Sequence, residues 1–336
     1  MTDARSSAAA PGMAAGEVRL PDGRWRPLEL AFWLLPVIGY FAFPDYRVLG
    51  SQILITGLFA VSLDLILGYA GIVSLGHAAF YGLGAYTAGL LAVHGWHEPL
   101  TGLVAAAAVA AVAGYLVSFL VVRGSDLTRL MVTLGIGLML FEAANKASSI
   151  TGGVDGLSGV TISKVLGIWE FGIGGSAAFV YSLVVVFLVF LLVRRLVASP
   201  LGLSLRGIRE GGKRMPAIGA PVPRRLRTIF TIAAAVAGVA GGLIAQTTQF
   251  VGIDALSFQR SAELMIMLVL GGAGRLYGGL VGALVFMIAQ DYLSGIDPVY
   301  WQFWLGFFLV LIVLFARGGI LGGLDALRAR LRRTKR

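Results

Sequence analysis

Charged side chains are scarce in this sequence, and cysteine is missing altogether. Asp, Glu, Lys and Arg make up 13% of the 336 residues, whereas hydrophobic types make up 57%. Soluble domains carry about 25% charged residues. A chain with half that share does not cover a water-facing surface, so a soluble enzyme is excluded. The absence of cysteine excludes disulfides, a thiolate nucleophile and a cysteine-ligated metal.

Long apolar stretches dominate the chain instead, and they predict membrane-spanning helices. A spanning helix needs about 20 predominantly apolar residues. Because lipid offers no partner to an unpaired backbone, such stretches predict an all-α polytopic membrane protein with about ten spans. The predicted spans lie at residues 28–44, 49–67, 76–94, 99–122, 129–145, 176–193, 228–250, 262–273, 276–290 and 299–316. We interpret the first as an uncleaved span.

The basic residues cluster and thereby predict the topology. Twenty of the 27 Lys and Arg lie in residues 1–27, 194–227 and 317–336. The positive-inside rule places these segments in the cytoplasm. We therefore expect a disordered cytoplasmic tail (1–27), a transmembrane permease domain (28–316) with an outward loop (145–175) and a cytoplasmic loop (194–227), and a basic cytoplasmic tail (317–336). The charge marks topology, so no nucleic-acid partner is expected.

Two glycine-rich stretches interrupt the hydrophobic runs. They extend from Gly68 to Gly84 and from Gly271 to Gly282. Glycine permits sharp turns and close backbone approach, so each stretch predicts a broken or re-entrant helix pair of the kind that lines a transporter's pathway. Tight helix packing is the other interpretation, and Gly238 with Gly242 fits the G-x-x-x-G pattern of such packing.

Three carboxylates fall inside hydrophobic runs, namely Asp64, Glu142 and Glu263. Charges in lipid are costly, so each either faces protein or water, or lies nearer the membrane surface than the run suggests. Among the other polar residues, His77 is predicted to have a structural role rather than to relay protons. Arg275 is predicted to be a turn residue rather than a ligand of the substrate.

The sequence gives no sign of a metal, a cofactor or catalysis. His94 and His97 flank a tryptophan in a short loop that suits a membrane interface better than a metal site. Gly207–Lys213 matches G-x-x-x-x-G-K, but Arg214 follows where a P-loop needs Ser or Thr. We therefore expect no ATP binding by this chain, and nothing supports an enzyme active site.

Five stretches together resemble LivM-type permeases of branched-chain amino-acid ABC transporters. They occur in the family's order and cover most of the chain. The stretches are Gly68–Tyr86, Thr151–Gly156, Leu205–Gly219, Val269–Gly274 and Leu314–Gly322.

The resemblance implies a permease subunit in the bacterial inner membrane, without catalysis of its own. It implies a homologous LivH-like permease, two ATP-binding subunits and a periplasmic solute-binding protein as partners. The substrate would be a branched-chain amino acid or a related amide, urea or carboxylate. The basic segment 201–227 also suits contact with membrane lipid, and the residues leave lipid contact and partner docking equally open.

The resemblance and the intramembrane charges together select three groups of candidate residues. The substrate pathway group is Asp64, Gly68, Tyr69, Gly71, Ser74, His77 and Glu142. The ATPase-coupling group is Arg206, Ile208, Arg209, Glu210, Met215, Ile218 and Gly219. The outward-loop motif is Thr151, Gly152, Gly153, Asp155 and Gly156.

One departure and one alternative accompany this interpretation. The coupling segment carries Gly211 and Gly212, with Pro216 inside the expected helix, and proline in a helix interior costs about 3 kcal/mol. The helix is therefore expected to start near Pro216, to be broken, or to suit a divergent ATPase. The alternative function is an ion-coupled secondary transporter or channel, in which Asp64 and Glu142 couple ions and no ATPase is needed.

Overall fold

The computed structural model describes residues 27–163, 175–212, 214–315 and 318–323. Within these ranges the chain is a helical bundle. Its helices are α1 (Pro27–Ala42), α2 (Arg47–Asp64), α3 (Ala78–Val93), α4 (Pro99–Val121), α5 (Asp126–Lys146), α6 (Ser148–Thr151), α7 (Ser176–Ala198), α8 (Pro200–Gly211), α9 (Val222–Thr248), α10 (Phe258–Gly271), α11 (Gly278–Ile296) and α12 (Trp301–Phe315). The predicted tails, 1–27 and 317–336, lie almost entirely outside the described residues.

Each of the ten predicted spans coincides with a helix. The two additional helices, α6 and α8, are short and lie in loops. Six helical stretches are long and apolar enough to cross a membrane: Pro44–Tyr69, Pro99–Val121, Asp126–Lys146, Ser176–Ala198, Val222–Thr248 and Gly278–Ile296. The described part of the chain contains no strand beyond a single bridge between Leu157 and Val251. An all-α polytopic membrane protein is confirmed, and the number of crossings stays a prediction.

Both predicted breaks are interruptions between helices. After α2 the chain makes one π-helical turn, Leu65–Tyr69, and then runs without helix until α3 begins at Ala78. The glycine at position 71 has φ 74°, a backbone conformation that other residues rarely adopt. The second break is the turn over residues 272–277, between α10 and α11. Each break therefore releases backbone groups from helical hydrogen bonding.

Side-chain contacts bring several helix ends together at one end of the bundle. Glu29, at the start of α1, lies 2.7 Å from Arg194, near the end of α7. The loop helix α8 follows directly, and Arg209 on α8 reaches the π-helical turn of α2. We call this the basic end, formed by the start of α1, the π-helical turn, α8 and the turn over residues 272–277. The bridge between Leu157 and Val251 lies at the opposite end.

Small residues let the central helices pack closely. A Cβ added at Gly238 of α9 would lie 2.4 Å from the Cβ of Ala110 on α4. One added at Gly242 would lie 3.0 Å from the side chain of Leu103 on the same helix. On another face of α9, a Cβ at Gly241 would lie 1.9 Å from the carbonyl oxygen of Tyr81 in α3. The packing interpretation of Gly238 and Gly242 is thus confirmed.

Candidate functional site

The two glycine-rich breaks meet at Asp64. Its side chain is fully buried, and Oδ1 accepts a hydrogen bond from the backbone N–H of Gly274 at 2.7 Å. Asp64 ends α2, and Gly274 belongs to the turn between α10 and α11. A buried polar group needs such a partner, since leaving a donor or acceptor unpaired costs about 1–3 kcal/mol. The carboxylate therefore ties the first break to the second.

Gly68 is the residue that allows this close approach. A Cβ at this position would lie 1.9 Å from Oδ1 of Asp64 and 2.4 Å from the nitrogen of Gly274. Neither of those distances is sterically tolerable, so a side chain here would push the two breaks apart. The carbonyl of Gly68 in turn accepts a hydrogen bond from Nη1 of Arg209.

Helix α8 is held against this junction by two arginines. Besides bonding Gly68, the Arg209 side chain passes close to Gly71, whose added Cβ would lie 3.2 Å from Cγ of the arginine. The guanidinium of Arg206, one turn earlier, lies 5.3 Å from the centre of the Tyr69 ring, in a cation–π arrangement. The contacts of α8 with the first break are therefore both polar and aromatic.

The sequence of the loop accounts for its two short helices. Pro200 stands in the first turn of α8, where a missing N–H does no harm, and α8 ends at Gly211. A 3₁₀ helix follows over Met215–Ile218 with Pro216 in its first turn, and Gly219 closes it with φ 80°. The two glycines and the proline that depart from the family pattern thus coincide with the end of one helix and the start of the next. The predicted break near Pro216 is confirmed.

The predicted coupling residues divide between two sides of this loop. Ile208 is buried with Leu205, and Met215 is half-buried against Gly207. Glu210, Ile218 and Gly219 are exposed, with 77% of Ile218 accessible. Arg209 belongs to the exposed edge of α8, yet one of its nitrogens reaches inward to Gly68. One side of the segment therefore faces the helical bundle, and the other is open.

His77 is buried directly before the first residue of α3. Its Nε2 lies 2.8 Å from Oγ of Ser62, and its ring stacks on Phe59 at 5.8 Å between centroids. The next residue, Ala78, donates its backbone N–H to Oγ of Ser261 at 2.9 Å. These contacts fix the end of the first break inside the bundle. The structure thus favours the structural interpretation of His77 and brings in Ser62 and Ser261, which sequence reasoning missed.

Ser74 lies in the same break, and α5 packs against it. The Ser74 side chain is buried, and among the described residues its Oγ has no hydrogen-bond partner. The N–H of Leu75 donates to Oγ1 of Thr133 at 3.3 Å, and a Cβ at Gly76 would lie 1.8 Å from the carbonyl oxygen of Thr133. Apart from Thr133, Gly137 and Ala144, the residues of α5 are half-buried or exposed. The break is therefore covered by a helix whose other face is open.

The comparisons with known proteins show the family of this chain. The family model described as "Branched-chain amino acid transport system / permease component" matches residues 49–316. The chain belongs to this permease family. It is 30% identical to the permease LivM of Escherichia coli K12 over 299 residues, covering 82% of this chain and 69% of that protein. No solved structure matches the chain.

More distant relatives include a second kind of permease. The chain is 26% identical to LivH of Escherichia coli K12 over 288 residues, covering 79% of this chain and 90% of LivH. It is 26% identical to BraD of Pseudomonas aeruginosa over 291 residues, covering 79% of this chain and 91% of BraD. All three relatives are named as permease proteins of high-affinity branched-chain amino acid transport systems.

Two other intramembrane carboxylates of this permease lie near helix ends. Glu142 is exposed in the last turns of α5, 3.6 Å from Lys146. Glu263 is in the second turn of α10, 3.3 Å from Arg260. Both therefore fit the interpretation that places them nearer the membrane surface. Arg275 lies in the turn between α10 and α11, beside Gly322, as a turn residue would.

The outward-loop motif of the permease builds a tight turn after α6. Oγ1 of Thr151 donates to the carbonyl of Ala144 at 2.6 Å and accepts from the N–H of Gly153 at 3.3 Å. The glycines at positions 152, 153 and 156 all have positive φ. Gly156 packs on Val251 next to the Leu157 bridge, whereas Asp155 is exposed. The motif thus holds the loop on the bundle and presents one carboxylate outward.

The ion pair of Glu29 with Arg194 is a further contact that sequence reasoning did not predict. Both side chains are largely buried, 20% and 17% exposed, at 2.7 Å. The predicted topology could have indicated this pair, because it places the start of α1 and the end of α7 at the same membrane surface. Opposite charges at adjoining helix ends then predict a pair.

Proposed function

We propose that this chain is a permease subunit of an ABC importer that carries branched-chain amino acids or related small polar solutes. In this proposal it pairs with a homologous LivH-like permease to form the translocation pathway. Two ATP-binding subunits drive transport from the cytoplasmic side, and a periplasmic solute-binding protein delivers substrate to the other. The basic end, with both chain termini, then faces the cytoplasm, as the clustering of basic residues favours.

One observation carries the proposal: the exposed loop helix α8 is bonded to the junction of the two glycine-rich breaks. Arg209 donates to Gly68, whose neighbour in space is the Asp64 carboxylate bound to Gly274. A transporter driven by a separate ATPase needs an element that is accessible to that partner and linked mechanically to its broken helices. Helix α8 has both properties, and an ion-coupled carrier needs no such element.

The docking surface in this proposal is the open side of the loop. Ile218 offers an exposed apolar side chain, and Glu210, eight positions earlier, offers an exposed charge. Buried apolar anchors ringed by polar residues are typical of protein interfaces. Gly219 ends the 3₁₀ helix and so fixes the direction in which Ile218 is presented. The remaining coupling residues, which face the bundle, transmit the movement.

The substrate pathway in this proposal follows the first break. Between Gly71 and His77 the backbone is not helical, and broken helices supply backbone donors and acceptors to polar substrates in many transporters. The buried hydroxyl of Ser74 lies there and has no hydrogen-bond partner within the described part of the chain. Asp64, Gly68 and Tyr69 form the cytoplasmic end of this pathway, and Glu142, at the opposite end of the bundle, lies near its entrance.

Co-purification with transport measurements tests the proposal. The tagged protein is purified gently from its native membranes, the accompanying proteins are identified, and the complex is reconstituted in proteoliposomes. We expect a second permease and ATP-binding subunits, together with uptake of radiolabelled leucine or a related solute that requires ATP. A chain that purifies alone and takes up solute only with an ion gradient would establish the secondary transporter instead.

A matched pair of variants tests the docking surface. Ile218→Asp places a charge on the proposed surface, whereas Ile296→Asp places one at the end of α11, at the opposite end, where the side chain is similarly exposed at 64%. We expect only the first to release the ATP-binding subunits. Equal retention in both variants would refute this docking surface.

A further inference from the structure

We infer that Arg209 is a positioning residue that couples α8 to both glycine-rich breaks, and that it does not hold the ATP-binding subunits. This inference deepens the proposed function and rests on it. The family resemblance assigns Arg209 to the coupling segment, but it does not say whether the residue contacts the ATP-binding subunits or the helical bundle. Its hydrogen bond indicates the bundle, because a guanidinium nitrogen of Arg209 donates to the carbonyl of Gly68 there.

The first step of the argument is the choice of acceptor. Gly68 lies in the π-helical turn at the end of α2, where regular helical hydrogen bonding ends. A carbonyl at a helix end needs a partner from outside the helix, and Arg209 supplies it from 141 positions away. Hydrogen bonds from a charged donor are about twice as strong as neutral ones. The end of α2 is therefore capped by the loop helix.

The second step of the argument is the close packing of the groups that join α8 to the two breaks. A Cβ at Gly274 would lie 2.8 Å from Nη1 of Arg209, and one at Gly68 would lie 2.4 Å from the nitrogen of Gly274. Backbone, guanidinium and carboxylate are therefore in direct contact. Because packed groups transmit displacement instead of absorbing it, a shift of α8 moves both breaks together.

The third step is an alternative partner for Arg209. Oδ2 of Asp64 is buried and has no hydrogen-bond partner among the described residues. Arg209 bonds the carbonyl of Gly68, and a Cβ at Gly68 would lie 1.9 Å from Oδ1 of the same carboxylate. A small movement of α8 would exchange the Gly68 carbonyl for the Asp64 oxygen as the acceptor.

The test compares three variants within the complete reconstituted complex. Arg209→Ala removes the contact, Arg209→Lys keeps the charge and one donor group, and Arg224→Ala removes a charge from the exposed start of α9 at the same end. Three quantities are measured: ATP-binding subunits retained, ATP hydrolysis and ATP-driven uptake. We expect Arg209→Ala to retain subunits and hydrolysis but to lose uptake about ten-fold or more, the size expected for one lost hydrogen bond to a charged group. We expect Arg209→Lys to recover part of the uptake and Arg224→Ala to match the wild type.

Hydrogen–deuterium exchange separates coupling from a merely local defect. In Arg209→Ala we expect faster exchange in peptides covering residues 65–77 and also in those covering 272–277, with no change in α4 and α9. Loss of the ATP-binding subunits in Arg209→Ala would make it a docking residue and overturn the inference, as would normal uptake or faster exchange in the first segment alone. Failure of the proposed function is distinguishable, because the wild-type complex would then lack ATP-driven uptake.

Discussion

The carboxylate of Asp64 accepts a hydrogen bond from the backbone N–H of Gly274 at 2.7 Å, across 210 positions of sequence. Each residue lies where a hydrophobic helix gives way to a glycine-rich break. A single, partly buried hydrogen bond therefore joins two interruptions that the sequence presents as separate features. It also explains a carboxylate in an apolar run without requiring the side chain to face lipid.

Substitution of Asp64 separates its charge from its hydrogen bond. Asp64→Asn keeps an oxygen that accepts from Gly274, whereas Asp64→Leu leaves that half-buried N–H without its acceptor. We expect Asp64→Leu to lower the free energy of unfolding by about 1–3 kcal/mol, and Asp64→Asn to cost less. Thermal unfolding of the purified protein measures the difference, and uptake is measured in parallel. Equal stability of the two variants would show that the contact with Gly274 contributes nothing.

Two glycines on one helix provide a matched test of close packing. A Cβ at Gly282 of α11 would lie 1.8 Å from the carbonyl oxygen of Met267, whereas one at Gly295 would meet nothing within 4 Å. Overpacking costs about 1–3 kcal/mol, so we expect Gly282→Ala to lower the unfolding temperature. Gly295→Ala should be neutral or stabilising by up to about 1 kcal/mol. Similar unfolding temperatures for both variants would contradict the predicted role of glycine in packing α10 on α11.

Much of the fold follows from hydropathy, but helix ends do not. The apolar stretch predicted at 262–273 is the core of α10, which begins at Phe258 because Oγ of Ser257 accepts the N–H of Arg260 at 3.1 Å. Helix α9 begins at Val222, ahead of the predicted span, since arginines continue a helix beyond the apolar region. Hydropathy identifies those residues of a helix that are apolar enough to lie in lipid, whereas capping and local hydrogen bonds determine where the helix starts.

The candidate site was predicted residue by residue, but its connections were not. Asp64, Gly68 and Arg209 were each selected from the sequence, in two different groups. Nothing in the sequence indicates that Arg209 reaches Gly68 or that Gly274 binds Asp64, because both contacts depend on how α2, α8 and α10 pack. Backbone groups, such as the N–H of Gly274, also leave no signature of residue type.

Glu142 tests whether the open face of α5 belongs to the substrate pathway. Its side chain is 54% exposed and paired with an even more exposed Lys146 at 3.6 Å. Exposed pairs contribute about 0–1 kcal/mol, so we expect Glu142→Gln to leave the unfolding temperature unchanged. If the carboxylate lies at the entrance, uptake falls, whereas Lys146→Gln, which removes the partner and keeps the carboxylate, has a smaller effect. Uptake kinetics of the two variants measure this, and normal kinetics for Glu142→Gln would remove the residue from the pathway.

His77 and Ser62 provide a test of the structural role of the histidine. The Ser62 hydroxyl donates to the carbonyl of Phe59 at 2.6 Å, so its oxygen accepts from Nε2–H of His77 at 2.8 Å. Ser62→Ala leaves that buried N–H unpaired, at a cost of about 1–3 kcal/mol. Replacing both partners by apolar groups removes the unpaired donor, so we expect Ser62→Ala/His77→Phe to unfold at a higher temperature than Ser62→Ala alone.

The single variant His77→Phe distinguishes a structural role from proton transfer. A structural His77 predicts that His77→Phe keeps ATP-driven uptake and its pH profile between about pH 5 and 8, the range in which histidine ordinarily titrates. The Phe59 ring on which the imidazole stacks can pack against the new aromatic side chain in the same way. Loss of uptake in His77→Phe with an unchanged unfolding temperature would instead identify His77 as a proton-carrying residue. Measurement of uptake against pH in His77→Phe and in the wild type decides between these roles. A packing defect changes the stability without moving the pH profile of uptake.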